Sequence, residues 1–181
     1  MITGWLLWFA AFAFAGSPGA TGVDGRIHQP LREARGKPLV MLFLSHDCPI
    51  GNAYAPELSR IRAAYSGRVA FALAYAEPRI TAAMGKAHAA SFSLQGFELL
   101  LDPKGVLSTF CHATVTPEAV VFDAQGRQEY CGRIDDRYPS LGRQKPAATT
   151  HDLRDALDAI LAHRSPKPAL GPPVGCTIVH L

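Results

Sequence analysis

The feature that most constrains the fold is an apolar run of six residues, Leu39–Leu44, which ends abruptly at the polar residues 45–49. A run of this length without polar alternation is typical of a strand buried on both faces. The pattern that follows predicts a helix over residues 52–64, with Asn52 as its N-cap. Cys48 therefore lies between the end of a central strand and the start of a helix.

This position favours a reactive thiol at Cys48. The first N–H groups of a helix are unpaired and carry partial positive charge. Both properties stabilise a thiolate, so a cysteine placed there has a lowered pKa and a raised reactivity. The alternative is an unreactive buried thiol, because free cysteine is among the most buried residue types. Position alone leaves both interpretations open.

Composition narrows the class of protein. The chain has 181 residues, of which 48% are hydrophobic and 18% charged, as expected for one globular domain. The formal net charge is +3, and the basic residues are spread out rather than interleaved with aromatic ones. We therefore expect no nucleic-acid partner. The cysteines form neither a C-x-x-C motif nor a zinc-ligand spacing, so we expect no cofactor and no resident metal.

The N-terminal residues 1–20 have the features of a signal peptide. Residues 5–15 are apolar, and small residues suited to cleavage follow near Ala15 or Ala20. An uncleaved anchor is the alternative. We expect an exported protein, periplasmic or otherwise extracytoplasmic, that meets a membrane only through this segment.

The rest of the chain divides into a linker and lead-in at residues 21–36, a main domain at residues 37–163 and a Pro-rich tail at residues 164–181. Within the main domain, strand and helix patterns alternate, which predicts an α/β fold with a parallel core and an added hairpin. Strands are predicted at residues 69–76, 97–101, 118–122 and 128–134, and helices at residues 81–92, 106–112 and downstream of a cap at Thr149 or Thr150.

This order, with a cysteine at a strand end and a later Thr116-Pro117 pair, resembles the thioredoxin fold. It is similar to the redoxin branch of the alkyl hydroperoxide reductase and thiol-specific antioxidant family. The segments DCPIGNAYAPEL, VTPEAVVFD and GRIDDRY, with THDLRDAL downstream, resemble exported bacterial redoxin-domain proteins over residues 37–163. The resemblance implies a central mixed sheet flanked by helices, with a C-terminal hairpin, helix and Pro-rich tail. It also implies that Cys48 is the active cysteine and that Pro117 is cis and faces it.

Two departures from these relatives concern the residues around Cys48. Thioredoxins carry a second cysteine three residues after the first, where this chain has Gly51, so a dithiol cycle within the motif is impossible. Peroxiredoxins carry a proline and a hydroxyl-bearing residue before the active cysteine. Ser45 matches the hydroxyl-bearing residue, whereas the proline is missing and Met41 lies near its expected position.

We therefore expect a thiol-based oxidoreductase in which Cys48 attacks a peroxide or a disulfide, and which a thiol reductant protein restores. Ser45 would hydrogen-bond the thiolate or the peroxide, or else cap the strand end. His46 would tune the pKa of the thiol or carry protons, or else face solvent. Arg133 would stabilise the thiolate, whereas residues 135–138 are expected to form a structural ion-pair loop.

The remaining cysteines offer partners for Cys48. Cys176, in the Pro-rich tail, is the favoured resolving cysteine, and pairing elsewhere is its alternative. Cys111 and Cys131 would form a structural disulfide, worth about 2–4 kcal/mol, or would themselves be the resolving pair.

Two further function classes remain open. Cys48, Cys176, His46 and His180 offer sulfur and imidazole ligands suited to copper, so the chain could be a metal-handling or electron-transfer module. It could also be a binding module that kept the fold without its chemistry, since a fold alone does not imply a function.

Overall fold

The computed structural model describes residues 17–179, which form nine strands and five helices. The strands are β1 Ala20–Gly22, β2 Ile27–His28, β3 Leu39–Leu44, β4 Ala70–Tyr75, β5 Glu98–Leu101, β6 Val115–Thr116, β7 Glu118–Phe122, β8 Gln128–Gly132 and β9 Cys176–Thr177. The helices are α1 Pro30–Glu33, α2 Pro49–Ala64, α3 Ala82–Ser91, α4 Val106–Cys111 and α5 Asp152–Leu161.

Seven strands form one mixed sheet in the order β2-β1-β5-β4-β3-β7-β8, and β6 and β9 form a separate two-stranded ladder. The strands β3, β4 and β5 are parallel, and β7 is antiparallel to both β3 and β8. The hairpin between β7 and β8 turns at Gly126, whose φ of 79° favours glycine. The α/β class, the parallel core and the added hairpin are thus confirmed.

The core lies on both sides of the central strand, as the apolar run predicts. Every residue of β3 is buried, and alternate side chains belong to different clusters. Val40, Leu42 and Leu44 pack with α2 and α5, whereas Leu39, Met41 and Phe43 pack with α4. Helices on both faces therefore hold β3 in one position along its whole length.

Two helix starts differ from the prediction. Helix α2 begins at Pro49 rather than near Asn52, and Cys48 itself is the N-cap. Proline is well suited to the first turn, where its missing N–H leaves no helix hydrogen bond unmade. Helix α5 begins at Asp152 after His151, so neither Thr149 nor Thr150 is the N-cap. Both threonines instead donate to the Asp136 carboxylate through their backbone N–H groups.

The two ends of the described chain are more ordered than their composition predicts. The lead-in region forms β1 and β2 at one sheet edge, and β1 pairs with β5. The Pro-rich tail contributes β9, which pairs with β6. Most of the predicted signal peptide lies outside residues 17–179, so that assignment stays a prediction. Among the helices of residues 17–179, none has the length and apolar character needed to cross a membrane.

A histidine surrounded by carboxylates stabilises the β1–β2 edge. Nε2 of His28 lies 3.0 Å from an oxygen of Asp24, and Nδ1 lies 2.7 Å from Glu98 and 3.2 Å from Glu33. The Asp24 hydrogen bond, helped by Glu33 and Glu98, raises the pKa of His28 to about 9. Burial, and then Glu33, raise the pKa of Glu98 to about 7. His28 is thus an imidazolium at neutral pH, and its contacts link β2 to the β1–β2 turn, to α1 and to β5.

We predict that the folded state loses stability as the pH rises from 6 to 9.5. A group whose pKa is raised by folding stabilises the protein fully below its unfolded pKa, and this stabilisation disappears as the pH passes the folded value. Loss of the His28 charge should cost about 1–2 kcal/mol, since solvent screens the exposed partners. Urea unfolding at several pH values measures the effect.

The matched variants are His28→Gln and His151→Gln. His151 is exposed, and its side chain makes no capping hydrogen bond to helix α5. The first should flatten the pH dependence, and the second should leave it as in the unaltered chain. Equal slopes in all three proteins would contradict the role assigned to His28.

Candidate active site

Cys48 is fully buried at the N-terminus of α2. Its sulfur accepts a hydrogen bond from the Gly51 N–H at 3.5 Å, and in the thiol form it donates to the Thr116 carbonyl oxygen at 3.0 Å. The peptide bond between Thr116 and Pro117 is cis. The structure therefore places the predicted residues Cys48 and Pro117 near each other, because the residue that precedes Pro117, Thr116, is hydrogen-bonded to Cys48.

The tail brings Cys176 to the same place. In the β6–β9 ladder Cys176 lies opposite Thr116, and the Thr116 hydroxyl donates to the Cys176 carbonyl oxygen at 3.4 Å. The Ile178 N–H donates to the Thr114 carbonyl oxygen at 2.9 Å. Cys176 is thereby close enough to Cys48 for each thiol to shift the pKa of the other. The expected juxtaposition of these two cysteines is present, although both are thiols in this structure.

Gly175 is the residue that permits this approach. A Cβ atom at position 175 would lie 1.9 Å from the Thr116 carbonyl oxygen and 2.6 Å from its carbonyl carbon. These are backbone atoms, which cannot swing aside as a flexible side chain can. A glycine is therefore required immediately before Cys176 for the tail to lie this close to β6.

The two thiols hold their protons with different strength. Burial alone would raise the pKa of Cys48, but hydrogen bonds from the Gly51 N–H, from the Cys176 thiol and backbone and from the Thr116 side chain outweigh it, so the pKa lies below its ordinary value. The opposite holds for Cys176. Partial burial, the hydrogen bond to Cys48 and the charges of Cys48 and Asp47 raise the pKa of Cys176 to about 11. Cys48 is the thiol that ionises first.

A cleft of about 330 Å³ opens beside Cys176, and the buried Cys48 does not line it. Its lining includes Cys176 and Thr116 from the ladder, and a polar group from the ends of β3 and β4: Ser45, His46, Asp47 and Glu77. Because β3 and β4 are parallel neighbours, the residues that follow them meet at one sheet edge. Glu77 was not among the predicted site residues, although it directly follows the strand predicted at residues 69–76.

Ser45 is engaged by carboxylates in this cleft. Its hydroxyl lies 2.7 Å from a Glu77 oxygen and also donates to Asp47. Oε1 of Glu77 accepts a hydrogen bond from the His46 N–H at 3.0 Å. Oε2 of Glu77 lies 2.8 Å from Nδ1 of His46. The structure thus gives Ser45 hydrogen bonds to Asp47 and Glu77 rather than the expected one to the Cys48 sulfur.

The same residues form a set of possible metal ligands. One ligand atom each from His46, Asp47 and Glu77 lies within 4.8 Å of the others. The expected copper ligands His46 and Cys176 thus line one cleft, whereas His180 lies outside the described residues. Two of the three clustered ligands are carboxylates, which favour harder metal ions than copper in its reduced state.

Arg133 lies against the start of α5 rather than beside the thiolate as expected. Its Nε donates to Asp152 at 3.0 Å and its Nη2 donates to the Thr150 hydroxyl at 3.1 Å. Both side chains of the ion pair are largely buried, with 14% and 4% exposed. These contacts join the end of β8 to α5, which is a structural role.

The loop at residues 135–138 is held by similar contacts, as expected for a structural loop. The Tyr54 hydroxyl donates to the Asp135 carboxylate, and the Tyr54 and Tyr138 rings lie 5.4 Å apart. Asp136 pairs with Lys145 and accepts hydrogen bonds from Thr149. The loop is thereby fixed to α2 and to the segment before α5.

Cys111 and Cys131 are neighbours, and both are thiols in this structure. The Cys131 sulfur lies 3.9 Å from the Cys111 carbonyl oxygen and donates to the Glu118 carboxylate at 3.4 Å. Burial, and then the Glu118 charge, raise the pKa of Cys131 to about 12, and burial raises that of Cys111 further. Neither thiol ionises readily, so neither is suited to attack. Their pairing as a structural disulfide stays a prediction.

Comparison with solved structures identifies the fold. A hypothetical protein of Sinorhizobium meliloti matches with a TM-score of 0.79 and 24% identity, covering 92% of each chain. A secreted disulfide oxidoreductase of Mycobacterium tuberculosis matches with a TM-score of 0.57 and 24% identity, covering 81% of this chain and 96% of that one. A thioredoxin-like protein of Aeropyrum pernix matches with a TM-score of 0.57 and 17% identity, covering 64% and 80%.

The chain therefore has the thioredoxin fold, with a central mixed sheet flanked by helices, as the resemblance implied. At these identities the comparison establishes the fold alone. No family model matches the sequence, and no curated protein matches it.

We predict that Cys48 titrates below the ordinary cysteine pKa of about 8.5. Thiolate absorbance at 240 nm, followed against pH, measures the midpoint. Cys176→Ala should raise this midpoint because it removes a hydrogen-bond donor to the thiolate. Cys131→Ser is the matched control and should leave the midpoint unchanged, since its hydroxyl can still donate to Glu118 and Cys131 does not titrate in this range. A midpoint at or above 8.5 in the unaltered chain would contradict the prediction.

Proposed function

We propose that this chain is a thiol–disulfide oxidoreductase with Cys48 as nucleophile and Cys176 as resolving cysteine. The single observation that carries the proposal is the position of Cys176 opposite Thr116, whose carbonyl oxygen accepts the hydrogen bond from Cys48 at a helix N-terminus. The pair is asymmetric, with a lowered pKa at Cys48 and a raised one at Cys176. That asymmetry suits a two-step exchange in which one sulfur attacks and the other follows.

Reduction of a substrate disulfide by Cys48 and Cys176 requires no cofactor. The Cys48 thiolate attacks one sulfur of a substrate disulfide, the substrate S–S bond breaks, and the other sulfur leaves as a thiolate that takes a proton. Cys176 then loses its proton and attacks Cys48 in the mixed disulfide, which releases the second substrate thiol. The substrate gains two electrons and the chain ends with a Cys48–Cys176 disulfide. A thiol reductant protein returns the chain to the dithiol form.

Peroxide reduction uses the same two sulfurs. The Cys48 thiolate attacks one peroxide oxygen, the O–O bond breaks, and the other oxygen leaves as water or an alcohol after taking a proton. Cys176 then condenses with the Cys48 sulfenic acid, water leaves, and the same disulfide results. We favour the disulfide substrate, because the Ser45 hydroxyl expected to bind a peroxide is held by Asp47 and Glu77.

We further propose that the reaction takes place outside the cytoplasm. The predicted signal peptide at residues 1–20 supports this location, and the disulfide oxidoreductase of Mycobacterium tuberculosis with the same fold is described as secreted. An oxidising compartment also supplies protein disulfides as substrates.

The test is turnover of a small aromatic disulfide with a thiol reductant, followed by the coloured thiol released. Cys48→Ser should lower the rate at least 100-fold, because a hydroxyl is not ionised at neutral pH. Cys176→Ser should complete the first step and stop at a mixed disulfide on Cys48, visible by intact mass. Cys131→Ser is the control and should turn over normally. Turnover that persists in Cys48→Ser would refute the proposal.

A second candidate function is binding of a divalent metal ion in the same cleft. It is favoured by the clustered ligand atoms of His46, Asp47 and Glu77, with the Cys176 thiol lining the cleft. Nitrogen, oxygen and sulfur ligands together suit zinc more than the copper expected from residue types alone.

Titration calorimetry with Zn²⁺ and with Cu²⁺ tests this candidate. Glu77→Gln should weaken zinc binding at least tenfold, whereas Glu129→Gln, which changes a carboxylate on β8, should have no effect. If the reduced protein takes up neither ion, or if both variants bind alike, the metal candidate is removed.

A further inference from the structure

The proposed nucleophile is closed off in this structure. Cys48 is 0% exposed, so its sulfur cannot meet a substrate disulfide while the surrounding chain stays in place. The groups that contact the sulfur are of two kinds. Gly51 belongs to α2 and Thr116 to β6, both tied to the central sheet region, whereas Cys176 belongs to the tail.

The tail is the element most easily moved. We define the tail segment as residues 175–179. It is joined to β6 by a ladder of two residue pairs, together with the hydrogen bond from Ile178 to Thr114. A ladder this short has few backbone hydrogen bonds to break, and Ile178 is the one buried side chain of the segment, so it opens at lower cost than the buried strands do. Cys176 and Thr177 are also exposed, as is Val179.

The other half of the ladder is held independently of the tail. Glu118 is buried, and one carboxylate oxygen accepts from the Thr114 N–H at 2.7 Å and from the Val115 N–H at 3.2 Å. Its other oxygen accepts from the Cys131 thiol. Glu118 also begins β7, which pairs with the buried strand β3. Therefore β6 should keep its conformation when the tail segment leaves.

We propose that the tail segment is a gate over Cys48, and that its departure exposes β6 as a docking edge for an extended polypeptide that carries a cysteine. This proposal rests on the proposed function and names its substrate class. The tail itself is the template: an extended strand, antiparallel to β6, with a cysteine opposite Thr116 and in contact with Cys48. A partner in the same register would satisfy the backbone groups that the tail leaves unpaired.

The gate also orders the reaction. While closed, it supplies the hydrogen bonds from Cys176 that lower the pKa of Cys48. When the substrate polypeptide occupies β6, Cys176 is displaced and the mixed disulfide forms at Cys48. Return of the tail segment then brings Cys176 onto that disulfide and releases the substrate thiol. The electrons and protons follow the two exchange steps given above.

Gly175→Ala tests the gate, because the added methyl group meets backbone atoms of Thr116 and should hold the tail segment off β6. Gly171→Ala is the matched control in the same tail. Its methyl group meets the end of the Arg133 side chain and no backbone atom. Alkylation of Cys48 by iodoacetamide, located by peptide mass mapping and corrected for thiolate fraction, should be at least tenfold faster in Gly175→Ala and unchanged in Gly171→Ala.

A chain ending at residue 174 provides a second open form, in case Gly175→Ala merely shifts the tail locally. Both open forms should show the faster alkylation. If Cys48 in the unaltered chain already reacts as fast as in the open forms, the gate is refuted.

Docking is tested with two ten-residue peptides, each with one central cysteine linked to 5-thio-2-nitrobenzoate. One has Thr and Val on both sides of the cysteine. The other has proline directly on each side, which removes backbone N–H donors and cannot pair in the same way. With Gly175→Ala, the first peptide should release the coloured thiol at least tenfold faster than the second.

A small aromatic disulfide distinguishes failure of the docking edge from failure of the proposed function. If it reacts at Cys48 while both peptides react equally, the docking edge is refuted and the proposed function stands. If it fails to react at Cys48 even in the open forms, the proposed function fails, and the gate and docking edge fail with it.

Discussion

Burial of β3 on both faces is the constraint on which the site depends. Each of its six side chains lies in a packed cluster, and the strand is hydrogen-bonded to β4 on one side and to β7 on the other. Phe43, near the end of β3, pairs with Glu118 at the start of β7. This one pairing brings Thr116 and Pro117, which precede β7, over the cysteine that follows β3. The position of the nucleophile is thus set by core packing.

Glu118 extends that rigidity from the core to the edge of the site. A buried carboxylate is costly unless its oxygens are hydrogen-bonded. Here the hydrogen bonds come from Thr114, from Val115 and from the Cys131 thiol. Glu118 is therefore satisfied only while this backbone keeps its present course. The same contacts explain why a strand of two residues is ordered outside the main sheet.

Much of this fold was predictable because its long elements have strong apolar patterns, as in β3, β4 and α5. The resemblance identified Cys48 and Pro117 as site residues, because each lies in a short sequence motif that resembles those of the relatives. The β6–β9 ladder and Gly175 were missed, because two-residue strands carry no periodicity and a close backbone approach leaves no mark beyond a glycine. Ser45 and Arg133 were expected at the thiolate, but side-chain partners distant in sequence, Glu77 and Asp152, hold them elsewhere.

The charges at the site also account for the sequence of steps. Partial burial, the hydrogen bond to Cys48, and then the charges of Cys48 and Asp47, keep Cys176 protonated while Cys48 is a thiolate. A Cys48 sulfur in a mixed disulfide carries no charge, so its repulsion of a second thiolate disappears at that moment. The pKa of Cys176 should then fall, and its thiolate becomes available when there is a disulfide to attack. One thiolate at a time is therefore a consequence of placing the two thiols close together, which the absence of a side chain at Gly175 permits.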